Sequence, residues 1–387
     1  MKITGYKRAD GSFGIRNHLL IIPASVCAAH VAEKVASQLD NAVYLYNQHG
    51  CCQIGEDYLI TLRTLTGYGL NPNVGAVLVV GLGCEGMQAA EISETIKKSG
   101  KPSDYIIIQE LGGTTSSIAE GVKRAGRMLE EISTLERVQF GVEHLIIGLE
   151  CGGSDPTSGL FANPAIGYVS TKLVDMGGTS ILSETTEVVG AEHILAERFT
   201  DHKQRERFLK MVRNTEERAK KLGGNLREGQ PTPGNKAGGI TTIEEKSLGC
   251  MYKAGDSDFT GVLEYGELVP KNNKGLYFMD TPGQDIDSIS GLVAAGAQII
   301  LFTTGRGTPT GNPICPVIKI TGNPETFEHM KDDIDINAGK VLMDNFTVSQ
   351  IGEEIFSLLL EVSNGRKTKA ELLGHKEFGI FRITGAF

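Results

Sequence analysis

The residues with the clearest capacity for chemistry lie in one stretch, Gly148-Leu149-Glu150-Cys151-Gly152-Gly153-Ser154-Asp155. It follows the apolar run Leu145-Ile146-Ile147 and leads, past Pro156 and Gly159, toward a predicted helix. A thiol, a hydroxyl and two carboxylates in a glycine-rich turn after an apolar strand suit a site at the carboxyl edge of a parallel sheet. Two earlier stretches repeat the plan. Val77 to Val80 runs into Gly81-Leu82-Gly83-Cys84-Glu85-Gly86, and Val43 to Tyr46 runs into His49-Gly50-Cys51-Cys52. Seven cysteines with no export signal read as reduced thiols rather than a disulfide framework. Burial as a small hydrophobe suits Cys27, at a helix start, better than Cys51, Cys84 or Cys151 in their strand-end turns.

Cations accompany these thiols. Arg306, in the turn Thr303-Thr304-Gly305-Arg306-Gly307-Thr308-Pro309, is placed to grip a carboxylate through two parallel hydrogen bonds. The alternative is an arginine that pins its own loop. Lys236, in Gly234-Asn235-Lys236-Ala237-Gly238-Gly239, offers a second charge on a flexible backbone. Lys246 could serve as a general base if burial lowers its pKa, or lie on an exposed Glu–Lys helix face. His49 could act as a ligand or an acid.

Competing motifs are few. Gly81, Gly83 and Gly86 satisfy the dinucleotide fingerprint between a strand and a helix, so a nicotinamide-dependent oxidoreductase is an alternative. Against it, Glu85 would place a carboxylate near the pyrophosphate. No P-loop, no tight zinc spacing of histidines and no Gly-x-Ser-x-Gly elbow is present.

The elements that must position these residues alternate. Strands are expected at Leu19 to Ile22, Val43 to Tyr46, Val77 to Val80 and Tyr105 to Ile108. Helices are expected at 28–39, 56–65, 87–98 and 115–132, after an N-terminal hairpin turning at Asp10-Gly11. The pattern restarts with a strand at Leu145 to Ile147, a helix at 164–176 and a strand at Thr179 to Ser183. A charged helical region follows at 191–221, then a Gly/Pro-rich loop near 223–239 suited to an active site. Later strands fall at 275–279, 299–302 and 317–320, before a helix at 348–362. The expected fold is α/β, with two doubly wound, mostly parallel-sheet, Rossmann-like domains at 1–138 and 139–387. A net charge of −9 argues against nucleic acid, and no apolar run approaches membrane-spanning length. A cytoplasmic homo-oligomer is expected.

Taken together, Gly-Leu-Glu-Cys-Gly-Gly-Ser-Asp (148–155), Ala-Asn-Pro-Ala (162–165), Gly-Asn-Lys-Ala-Gly-Gly-Ile-Thr-Thr (234–242) and Thr-Gly-Arg-Gly-Thr-Pro (304–309) resemble the altronate/galactarate dehydratase family. Asp10-Gly11, Gly14, Arg16-Asn17, Gly50-Cys51, Gly55, Asp57 and Gly83-Cys84-Glu85 carry the same resemblance, which runs essentially end to end. It implies an iron-dependent hydro-lyase that removes water from a sugar acid, such as altronate or galactarate, to give a 2-keto-3-deoxy acid. A related sulfo-lyase acting on sulfolactate is an alternative. The resemblance also implies that the chain corresponds to the large catalytic part, with a separately encoded small subunit as a possible partner. On this reading Lys246, Glu150, Asp155 and His49 are the catalytic candidates. Arg16, Asn17, Ser154, Lys236 and Arg306 bind substrate. Cys51, Cys84 and Cys151, at the ends of parallel strands, hold a metal, with Cys250, Cys52 or His49 as substitutes. Thiolates favour iron–sulfur chemistry, so a [4Fe–4S] cluster with one open iron is expected, and mononuclear Fe2+ is the fallback.

Overall fold

A computed structural model describes residues 1–385. Two parallel sheets form its frame. The first, in spatial order Ala42–Tyr44, His18–Pro23, Val74–Gly81 and Ser103–Ile107, has four parallel strands. All eight residues of Val74–Gly81 are buried, as expected for a strand covered on both faces. Helices Ala29–Ala36 and Thr114–Ser133 cover one side; Gly55–Leu70 and Ala89–Lys97 cover the other.

The second sheet has seven parallel strands: Phe259–Leu263, Leu276–Met279, Thr179–Leu182, Ile146–Cys151, Ile299–Thr303, Val317–Thr321 and Ile336–Asn337. Ile146–Cys151 stands at its centre. The chain first builds to one side of that strand and then crosses to the other, so the crevice at its carboxyl end is a topological switch point. Helices Asn163–Asp175 and Val348–Ser363 pack on one face. On the other, helix Asp285–Ala294 packs against Gly55–Leu70 from the first half, and one apolar core runs between the sheets. The expected α/β class is the one observed.

Several boundaries differ from expectation for local reasons. The helix expected over 191–221 is broken into Glu192–Ala196 and His202–Lys221, because Asp201 accepts from Lys203 N at 2.7 Å and starts a new helix. The loop near 223–239 contains two short helices, Leu226–Gly229 and Pro233–Ala237. The edge strand Phe259–Leu263 was not expected, since Gly261 interrupts its apolar pattern. The N-terminal hairpin is present, and its strand Lys2–Lys7 also pairs with Val138–Gly141. No described helix is long and apolar enough to cross a membrane.

Candidate active site

Successive residues of a strand face opposite sides of its sheet, so Glu150 and Cys151 point in opposite directions. Glu150 is fully buried and its Oε2 accepts from Ser288 Oγ at 2.6 Å and Ser183 Oγ at 3.1 Å. Burial, reinforced by Glu184, pushes its carboxyl well above the usual range. Nearby, Asp285 is pushed up to about 7, by burial first and then by Glu184.

Cys151 faces the other side, where charge and sulfur converge. Its Sγ lies 3.5 Å from Cys250 Sγ and 2.8 Å from Lys253 Nζ. Lys253 also pairs with Glu184, whose Oε2 accepts from Cys151 N at 3.0 Å. Glu184 adopts a left-handed backbone (φ 71°), a strained state for a residue with a side chain. Cys250 and burial push the Cys151 thiol up, while the Lys253 ammonium opposes them. One turn away, Lys246 Nζ pairs with Glu187 Oε1 at 2.9 Å and donates to Gln230 Oε1 at 3.2 Å. Burial alone would lower the Lys246 pKa, but Glu187 and Cys250 outweigh it and hold Lys246 charged. That direction is opposite to the one a burial-lowered lysine base would need.

The thiol group is assembled across the fold. Lys246, Cys250 and Lys253 share one face, at intervals of four and three residues along consecutive helical turns. Their helix approaches closely because a Cβ on Gly159 would sit 3.0 Å from Gly249 Cα. Asn163 fixes the contact, donating to Gly249 O at 2.9 Å and accepting from Thr303 Oγ1 at 2.6 Å. Among the described residues, the group of ligand atoms lying within 4.8 Å of one another is Cys151, Glu187 and Cys250, all buried. Two soft sulfurs and a carboxylate could hold a transition-metal ion. A cavity of about 260 Å³ reaches this group at Cys250 and is lined also by Ser154, Asp155, Asn163, Lys246 and Tyr252.

Other candidates are placed differently. Cys51 and Cys84 lie past the carboxyl ends of first-sheet strands, outside that thiol group; Cys51 Sγ is 3.8 Å from Cys52 Sγ. His49 is half-buried near Asp57 and Arg382, with its pKa lowered chiefly by burial. Asp155 Oδ1 accepts from Thr157, Ser158 N and Ser158 Oγ at 2.6, 3.0 and 3.1 Å, and Oδ2 from Asn323 at 3.0 Å, so it shapes the turn. Ser154 N donates to Asn235 Oδ1 at 3.0 Å, which ties the Lys236 loop to the site, though Lys236 itself is exposed.

Arg16 and Asn17 have other tasks. Arg16 forms a fork with Glu371 at 2.8 and 2.9 Å and donates to the carbonyls of Val362 and Arg366. Asn17 links Arg8 to Ile132 O. Both precede the strand His18–Pro23, at the amino edge of the first sheet. The dinucleotide reading also loses its donors. Glu85 accepts from Leu82 N at 2.8 Å and Gly83 N at 2.5 Å, the N–H groups a pyrophosphate would need.

Residues 142–385 match the family described as D-galactarate/Altronate dehydratase, C-terminal, and residues 5–133 match D-galactarate dehydratase/Altronate hydrolase, second domain. The chain belongs to the D-galactarate/altronate dehydratase family. Within that family it is 37% identical to an altronate dehydratase of Bacillus subtilis, over 98% of this chain and 77% of the relative. Identity to a galactarate dehydratase of Escherichia coli is 34%, over 97% of this chain and 76% of the relative. A protein of Chromohalobacter salexigens named (2R)-sulfolactate sulfo-lyase subunit beta is 37% identical, over 98% of this chain and 97% of the relative. These relatives are dehydratases and a lyase, and the chain is an enzyme of that class. In this dehydratase-family chain, Glu184, Glu187, Lys253 and Asp285 escaped the sequence reading. The spacing of Lys246, Cys250 and Lys253 was the signal that could have found the lysine.

Proposed function

We propose that the chain removes water from a sugar acid such as altronate or galactarate, giving a 2-keto-3-deoxy acid. The supporting observation is the cavity lined by Lys246 and Cys250, where Lys246 presents a protonated amine one helical turn from the Cys250 thiol. Dehydration needs the C2 proton removed, the growing charge on the carboxylate held, and the C3 hydroxyl protonated as it leaves. Lys246 is assigned the last of these, because Glu187 keeps it charged until the leaving oxygen takes a proton; the C2 proton passes to solvent in the cavity, which returns one to Lys246 after the hydroxyl has left as water. Ser154 and Asn163 line the cavity and orient substrate hydroxyls. Lys253 and Glu184 hold Cys151 in place from behind.

Iron fits this donor set as a single Fe2+ ion held by Cys151, Cys250 and Glu187. A [4Fe–4S] cluster calls for a third sulfur, and the group contains two. When bound, iron would supply a Lewis acid for substrate oxygens.

A second reading has a specific support. The sulfolactate relative is as similar as the altronate dehydratase and matches over more of its own length. Sulfite would then leave from C3 by the same C2 deprotonation. Because that relative is named a beta subunit, a separately encoded small partner is proposed here too. Anaerobically prepared, Fe2+-loaded protein incubated with altronate, galactarate and sulfolactate tests both readings. The dehydration reading expects a 2-keto acid from a hexonate or hexarate without sulfite release; keto acid from sulfolactate alone would overturn it.

A further inference from the structure

A second cleft, of about 400 Å³, borders Asp155 and is lined also by Gly238, Arg306, Glu325 and His329 among others. Asp155 lines both this cleft and the cavity at Cys250, so the two adjoin at that residue. Arg306 is held rigidly at its base. Its N–H donates to Gly153 O at 3.1 Å beside the Gly305 N–H at 2.8 Å, and Thr326 Oγ1 donates to Gly305 O at 2.7 Å. A Cβ on Gly153 would meet the Arg306 Cβ and Cγ at 3.1 Å, so the arginine stem lies directly over the turn after Cys151.

Unlike Arg16, which is saturated by Glu371 and carbonyls, Arg306 has no side-chain hydrogen bond or ion pair among the described residues. Asp155 does not neutralise it, because both its oxygens are held by Thr157, Ser158 and Asn323. A guanidinium on an anchored stem, with its donors open, matches the two oxygens of a carboxylate. His329 adds a donor, and Glu325 offers an acceptor for hydroxyls.

We propose that this cleft, headed by Arg306 and His329, is an anion subsite that holds the carboxylate at the far end of a polyhydroxy diacid whose reacting end lies at Lys246 and Cys250. The inference rests on the dehydratase reading and narrows it to substrates acidic at both ends.

The test compares kcat/KM for a hexarate and a hexonate of matching configuration, in wild type, Arg306→Gln and Arg306→Lys. It adds equilibrium binding of adipate and hexanoate, which have no hydroxyl to lose. Wild type should favour the hexarate, and Arg306→Gln should lower the hexarate-to-hexonate ratio by roughly tenfold or more, with Arg306→Lys in between. Adipate should lose affinity in Arg306→Gln more than hexanoate does. The exposed change His329→Ala should show the same signature at smaller size and guards against a folding defect in Arg306→Gln. An unchanged ratio together with unchanged adipate binding would overturn the subsite. Adipate binding that depends on Arg306, in protein that dehydrates no sugar acid, would support the subsite while sinking the dehydratase reading.

Discussion

Cys151 Sγ and Cys250 Sγ, from residues 99 apart in the chain, lie 3.5 Å from each other in a buried site. One sulfur ends the central strand and the other rides on a helix, so their approach depends on the whole second sheet. Cys151→Ser and Cys250→Ser should each reduce bound Fe2+ and lower activity by on the order of 100-fold or more. Cys51→Ser and Cys84→Ser should retain most of the iron. Iron analysis of the four variants after anaerobic loading checks this; equal losses from all four would favour a shared cluster.

Lys253 is predicted to be essential to stability. Its ammonium is completely buried between Cys151 and Glu184, and removing it strands a buried carboxylate. Lys253→Met should destabilise the fold by about 3–5 kcal/mol. Urea unfolding of the metal-free protein measures it, and a loss below about 1 kcal/mol would mean that Glu184 does not depend on this partner.

Lys246 should act through its charge and its proton. Lys246→Gln should cut kcat by roughly 100-fold or more with a smaller change in KM, while Lys246→Arg keeps the charge and retains substrate affinity. A KM effect with kcat intact would restrict Lys246 to binding.

Asp285 predicts a pH dependence of stability. Its folded pKa, about 7, lies above the ordinary carboxylate value of 3.8, so the folded state holds the proton more tightly than the unfolded one. Stability from this group is therefore present at low pH and falls as pH rises from about 4 to about 7. Asp285→Asn should flatten that decline. Melting temperatures of both proteins across this range check it, and parallel curves would contradict it.

Much of this was legible in the sequence because it depends on local chemistry. The apolar runs at Val74–Gly81 and Ile146–Cys151, ending in glycine turns, gave away the parallel strands and the edge that carries the site. The role of Cys250 was harder to see. Only tertiary packing at Gly159 and Gly249 brings its helix to the central strand. Arg16 misled because a guanidinium near a glycine turn looks the same whether its partner is a substrate or Glu371. Strand alternation sets Glu150 on the opposite side from Cys151, where its carboxyl meets Ser183 and Ser288, a placement that local sequence does not reveal.

Elimination across C2 and C3 leaves its mark on the C3 hydrogens of the product. Loss of the C2 proton and the C3 hydroxyl leaves an enol, whose collapse to the 2-keto acid takes one hydrogen at C3 from solvent. A turnover in D2O, with the product read by NMR before any later exchange, should show one solvent-derived deuterium at C3. A product that keeps its C3 oxygen, or that carries no deuterium at C3, would rule this elimination out.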